Sequence, residues 1–433
     1  MNKHLIAAIA VAVPALAQAT NGMLMEGYGP VATGMGGTSL ALDNGTAAAA
    51  NNPATLGLMG DGARLDVAAG LLGPHVSSRV GGMVADSSGT SYVMPAIGYA
   101  RRHGDLVFGL AVFAQGGMGT DYGADSFLAM GSGSPVRSEL GVGRVMLPLA
   151  FTAAPDLVVG GSIDYVWSTL DLRMAASGAQ LGGMVTGAGG NLAAALPALG
   201  GASWARLDFS DDNKFSGAAR SSGLAGKLGL LYRVDPTLSV GAAFHTKTHL
   251  RDMRTSERGA QLSAQGGFSD TGRMVIEDFQ MPAQLGVGLS WQATPALQLA
   301  ADLKRIYWSD VMSSFKMRYE SAGMGGNVSF ALPQQWNDQT VTNLGAAWRV
   351  SDALVLRGGM NLSTNPVPAA YVNPLFPAIV KRHYTAGFGV ATSAAGELNT
   401  SVAYAPTVTV LSGSGVEIRH RQLNLQLMYS HRF

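Results

Sequence analysis

Few side chains in this sequence are spaced for chemistry. There is no cysteine, which removes thiolate nucleophiles, disulfides and thiolate metal sites together. Among eight histidines, His245 and His249 stand four apart, the spacing at which two imidazoles on a helix share a metal ion. They lie in an alternating run, however, and on an extended strand four residues span roughly 13 Å, too far for one ion. No metal and no cofactor is expected. Gly27-Tyr28-Gly29 begins like a dinucleotide-binding loop, but Ala32 stands where the third glycine belongs. A barrel hydrolase would need Ser, His and an orienting amide or acid converging at one rim. No segment singles out such a set, so an enzyme is not the expected reading, and a hydrolase stays as an alternative beside a purely structural barrel.

The elements that would carry any site are announced by composition. Charged residues make up 13% of the 433, about half the usual share, and the 58 glycines are near double theirs. With 47% hydrophobic residues and a formal charge of +1, the chain is neither disordered nor a nucleic-acid binder. A membrane protein or a glycine-rich all-β chain fits best. At the N-terminus, Lys3 and His4, an apolar run from Leu5 to Leu16 and Ala17-Gln18-Ala19 read as a cleavable export signal over residues 1–19. The run is short of the roughly 20 residues of a spanning helix, and Pro14 interrupts it.

Beyond the leader, hydrophobicity alternates with period two. Leu238, Val240, Ala242, Phe244, Thr246, Thr248 and Leu250 form one face, against Ser239, Gly241, Ala243, His245, Lys247, His249 and Arg251. Residues 284–292 and 422–433 repeat the pattern. Alternation by itself does not separate a soluble sandwich from a membrane barrel, but the connections do. About fourteen strands are expected, at 63–75, 91–103, 105–118, 136–153, 157–174, 223–234, 238–252, 272–293, 297–319, 336–350, 353–365, 381–393, 396–410 and 417–433. Tight turns near Gly104, Pro155, Pro236, Pro295, Asp352 and Gly396 alternate with long loops such as 119–135 and 175–222. Short turns on one rim, long loops on the other and an even count predict a 14-stranded antiparallel transmembrane β-barrel of the outer membrane over residues 62–433. Tyr165, Trp167, Tyr232, Trp291, Tyr307, Trp308, Trp348 and Tyr429 suit aromatic girdles at its two interfaces.

Residues 20–61 do not alternate. Gly34-Met35-Gly36-Gly37, the alanine-rich stretch from Asp43 to Ala50 and Asn52-Pro53-Ala54 predict a compact plug, or hatch, inside the lumen. These motifs resemble the N-terminal hatch of the FadL-type long-chain fatty acid transporters, a family that also includes aromatic-hydrocarbon channels of Gram-negative outer membranes. Met281-Pro282, Tyr307-Trp308-Ser309, Asn365-Pro366-Val367-Pro368 and the terminal Phe433 look like further landmarks in the expected order, so the resemblance runs over nearly the whole mature chain.

It implies passive uptake of hydrophobic compounds, long-chain fatty acids first and aromatic or alkane hydrocarbons second, by a monomer among outer-membrane lipid and lipopolysaccharide. Each buried CH₂ contributes roughly 0.8 kcal/mol, so an apolar pocket captures such solutes without energy input. Phe127, Leu128, Met130, Leu181, Met184, Leu192 and Leu196 are placed to line a collection groove in the long loops, or to pack those loops together. Methionine, 20 residues in all, suits variable ligands. The resemblance sets Arg173 and Lys316 at positions like those of the cations meeting a ligand carboxylate, with a solvated rim charge as the bland alternative. It sets Gly116 and Gly117 at the inward kink of the third strand, where a lateral opening is expected.

Overall fold

The computed structural model describes residues 21–213 and 216–433; the expected leader lies outside them. Ala63–Val80 pairs on one side with Tyr92–His103 and on the other with Glu417–Arg432, so the first and last long strands meet and the wall closes. From Tyr92–His103 the circuit runs antiparallel through Leu106–Tyr122, Val136–Ala154, Leu157–Ala176, Ala219–Arg233 and Leu238–His245. It continues through Gln284–Thr294, Leu297–Ile306, Gln339–Arg349, Leu354–Ser363, Arg382–Ala391 and Gly396–Leu411 to Glu417–Arg432. The connections at Gly104, Pro155, Pro236, Pro295, Asp352 and Gly396 are short and share one rim, where Ala63 and Phe433 also exchange backbone hydrogen bonds.

The expectation of a plain fourteen-stranded barrel is corrected: the circuit just traced is only part of a continuous sheet of 23 strands. Three expected strands are broken. The 238–252 run divides into Leu238–His245 and His249–Leu250, 272–293 into Phe268–Glu277 and Gln284–Thr294, and 297–319 into Leu297–Ile306 and Ser314–Ser321. Pro282, which has no N–H to give to a ladder, lies in the second break; a 3-10 turn, Trp308–Asp310, fills the third. Segments expected as loops also pair, among them Val185–Gly189, Ala205–Phe209, Ala260–Ala264 and Asn327–Pro333. These pieces extend the sheet beyond the long-loop rim. Alternation is too short in each to announce a strand. Two helices, Gly178–Met184 and Gly190–Gly200, occupy the uncharged part of the longest loop, the first closed by a Ser177–Gln180 capping box that outweighs its glycines.

The break after His245 has a consequence for the cationic face. His245 is buried in the lumen, whereas His249 is exposed, so the two histidines do not share a face at all.

Side-chain directions are those of a membrane barrel. On one strand Lys227 is 2% exposed and its neighbour Leu228 66%; on the next, Asp164 is 0% exposed and Ile163 67%. Leu71, Leu149, Leu230, Val287, Leu289, Leu425 and Leu427 continue the outward apolar band. That band is far larger than the few hundred Å² soluble monomers expose, and lipid removes its cost. Closure satisfies the backbone, which no lipid can do. Tyr165, Tyr232, Trp291, Trp348 and Tyr429 project outward as a girdle requires, but Trp308 is wholly buried.

Candidate functional site

Residues 21–62 lie inside the wall, almost entirely buried. Their form follows from glycine, proline and small side chains: a five-residue helix, Pro30–Gly34, and 3-10 turns at Gly45–Ala49 and Pro53–Leu58. The wall holds them through its lumen-facing polar residues. Asp66 accepts from the Thr46 N–H and hydroxyl, each at 2.8 Å, and Asp302 accepts from the Ser39 N–H at 2.8 Å. Asn343 donates to the Gly37 carbonyl at 2.8 Å, and His245 Nε2 meets the Asn51 carbonyl at 2.7 Å. Asn52 caps the last turn by accepting from the Ala54 N–H while donating to the Leu40 carbonyl and, across to the wall, to the Leu230 carbonyl. A Cβ on Gly160 would collide with the Pro53–Ala54 backbone, so a bare wall residue lets these three residues seat.

Under this segment sits a dense ionic cluster. Asp164, Arg144 and Lys227 are buried to 2% side-chain exposure or less. One carboxylate serves both cations: Arg144 donates to Asp164 at 2.9 Å and Lys227 pairs with the same oxygen. Ser162 donates to Asp164, Arg144 to the Gln115 side chain, and the Tyr28 hydroxyl to the Gln115 carbonyl at 2.7 Å. Charge at this depth persists only because it is paired and hydrogen-bonded.

Beside the cluster the wall opens. Pairing between Tyr92–His103 and Leu106–Tyr122 ends at Ala96 opposite Phe113, with Pro95 next along. Leu106–Tyr122 is displaced there, its register with Val136–Ala154 shifting between Ala114 and Gly116. The freed edge is met from inside, since Leu24 forms an isolated antiparallel bridge with Gly116. A side chain on Gly116 would strike the Met23 carbonyl, and one on Gly117 the Leu140 carbonyl. Around the gap lies a cavity of about 350 Å³ that runs from Met23 and Met118 to Val93, whose side chain is 52% exposed on the outer face.

A second, nearly filled space of about 40 Å³ lies towards the long loops, lined by Phe279, Met312, Phe315, Met317, Trp336 and Phe376 among others. Phe315 makes an edge contact with Phe279, centroids 6.5 Å apart, and a tilted one with Phe376 at 6.3 Å. Trp336 stands against the buried Trp308 at 4.9 Å. Gln334 and Asn373 are the polar liners; no charged side chain lines it. Met23, Met118 and Leu140 border both spaces.

The sequence-derived residues fall unevenly around this geometry. Asn52, Pro53 and Ala54 lie in the seated segment, and Gly116 and Gly117 at the gap. Leu181 and Leu192 are buried, and Phe127, Leu128, Met184 and Leu196 partly so, in the apolar cluster that binds the loops together; Met130 is 38% exposed. None of these seven borders the aromatic space. Arg173 is ion-paired with Asp212 at 2.8 Å, and Lys316 is exposed on the face opposite Met317. The aromatic liners were missed because Phe315 and Met317 stood on a segment read as one long strand, although their alternation with Lys316 already put them on the other face.

A closed wall with an apolar outer band, filled by its own N-terminal segment and interrupted at one side, defines a transmembrane barrel that handles hydrophobic solutes. A family model described as outer membrane protein transport protein (OMPP1/FadL/TodX) matches residues 6–422, and the chain belongs to that family, whose members are outer-membrane channels for hydrophobic compounds. The crystal structure of the P. putida toluene transporter TodX is 30% identical, with 94% of this chain and 99% of that one covered and a TM-score of 0.85. The Ralstonia pickettii toluene transporter TbuX is 32% identical over the same shares, TM-score 0.80. A Pseudomonas aeruginosa FadL homologue, 14% identical over 95% and 100%, TM-score 0.73, shares the fold. An uncharacterized protein of Chlorobium limicola, from the phosphoenolpyruvate carboxykinase gene 5' region, is 40% identical over 107 residues. That match takes in 24% of this chain and about half the length of the relative.

Proposed function

We propose that this barrel is a passive outer-membrane channel for small aromatic hydrocarbons. The observation that carries this is the lining of the aromatic space: methionine and phenylalanine with no cation facing it. A fatty acid would bring a carboxylate needing a charged or hydrogen-bonding partner, and Arg173 is already paired while Lys316 points away. A hydrocarbon leaves nothing unsatisfied. The relatives at 30% and 32% identity, named as toluene transporters, support the same substrate class.

The route runs from the loops into the aromatic space, past Met23, Met118 and Leu140, into the larger cavity, and out through the gap beside Pro95 into the bilayer. Residues 21–62 act as the hatch. The bridge from Leu24 to Gly116 is its moving contact, because it stands at the gap and the adjoining Met23 borders both spaces. The protein works as a monomer, its outer face given to lipid. The test is parallel uptake of toluene, hexadecane and oleate by an outer membrane lacking other such channels. Toluene uptake well above the empty membrane is expected; oleate uptake without toluene uptake would overturn the reading.

A further inference from the structure

The outer wall changes character abruptly at one level. Up the Glu417–Arg432 strand the outward side chains read Tyr429, Leu427, Leu425 and Leu423, all 44% to 49% exposed, and then Arg421 and Arg419. The neighbouring strand changes at the same height, with Leu71 opposite Leu425 and His75 opposite Arg421. This is where acyl chains end and head groups begin.

The cationic side chains stand over a built recess. Gly396–Leu411 bulges between Ala405 and Val408, so that Pro406 and Thr407 together face Arg421. A bulge of two residues against one bends its strand and re-aims the side chains around it. Here it leaves a pocket of about 390 Å³ bordered by His75, Ser77, Thr407, Arg419 and Arg421. Asp86 enters from the far side, across from Ser77, and leaves the recess net positive. Among the described residues no carboxylate lies within ion-pair distance of Arg419 or Arg421, although many other arginines on the wall are paired.

We propose that this recess binds the phosphate groups of an outer-leaflet lipid. Two guanidinium groups two residues apart on one strand face lie roughly 7 Å from each other and present planar forks matched to phosphate oxygens. The hydroxyls of Ser77 and Thr407 add neutral donors. The apolar side chains directly below, Leu71, Leu423 and Leu425, are placed to take the acyl chains of the same molecule, which is why a lipid head group and not free phosphate is the occupant. The two arginines face away from the lumen and line no part of the transport route; only His420, on the other face of their strand, borders both this recess and the larger cavity.

Native mass spectrometry of the detergent-purified protein tests this, with diphosphoryl lipid A, its phosphate-free analogue and inorganic phosphate as probes. The wild-type chain should retain diphosphoryl lipid A, retain the phosphate-free analogue at least tenfold less, and lose the former as salt rises. An Arg419→Gln/Arg421→Gln variant should bind lipid A at least tenfold more weakly, and Arg419→Lys/Arg421→Lys should keep most of the binding, which separates charge from folding. Toluene uptake should be unchanged in the glutamine variant, so this site and the channel stand or fall separately. Equal binding of the phosphate-free analogue, undiminished binding by the glutamine variant, or inorganic phosphate binding as tightly as the lipid would overturn it.

Discussion

Asp164 offers the sharpest test of how the lumen is held together. Its carboxylate is the shared counter-charge of Arg144 and Lys227, and all three are cut off from solvent. Asp164→Asn keeps the shape and much of the hydrogen bonding but removes the charge, leaving two cations side by side in a closed lumen. Breaking one buried pair costs about 3–5 kcal/mol, and this carboxylate belongs to two pairs, so a loss at or above about 4 kcal/mol is expected. Lys227→Met in the same chain removes one stranded ammonium, and the double variant should regain about 2 kcal/mol or more of that loss. Guanidinium unfolding of the barrel in detergent, followed by tryptophan fluorescence, measures all four members of the cycle. If Asp164→Asn costs less than about 1 kcal/mol, or the two changes simply add, the shared-counter-charge account is refuted.

Gly116→Val should push the segment around Met23 off the wall and change toluene uptake severalfold in vesicles, while Gly182→Ala, with open space around it, should not. Met317→Lys sets a charge into the aromatic space and should lower toluene uptake at least tenfold; Lys316→Gln, on the opposite face, should leave it within twofold. Deleting residues 20–60 should leave a barrel that still inserts, shown by its heat-dependent gel mobility, with altered conductance; failure to insert would count against a separable plug. Asp338 joins Ser309 and Arg305 at the loop end of the wall. Burial raises its carboxyl pKa, but the Ser309 hydrogen bonds and Arg305 outweigh this and hold it below the usual carboxylate value. A depressed pKa stabilises above the unfolded value, near 4, and the gain is lost as pH falls through the folded one. Emission from Trp308 and Trp336 should therefore be the same at pH 7 and pH 5 and change only below about pH 4.

What the sequence made legible was whatever a period of two could carry. The alternation of Lys227 with Leu228 already marks wall residues with two solvents, and the proline and glycine turns fixed one rim. The short strands beyond the long-loop rim were invisible because Val185–Gly189 or Ala260–Ala264 is too brief to show a period, and the first pairs with Asn327–Pro333, far away in sequence. Breaks such as the one after His245 flip the faces that follow, which is how His249 was put on the wrong side. Gly116 was found through resemblance, but its reason, the Met23 carbonyl pressed against it, is a tertiary contact no local pattern encodes. The aromatic space joins residues from Met23 to Phe376, and its members reveal themselves only once the chain is wound.

The seam where the wall closes has a consequence for biogenesis. Arg64, on the first long strand, reaches the Ser430 hydroxyl on the last at 3.0 Å and pairs with Asp66 at 2.8 Å, which in turn holds Thr46 of the enclosed segment. Partners more than 360 residues apart come together only when the whole chain has been delivered, a late and slow event for any topology. A ring that shuts around its own first residues cannot be loaded afterwards. In the full chain, residues 21–62 must therefore be in place before the last strand docks, and the clasp through Arg64 and Asp66 ties the closing seam to the enclosed segment.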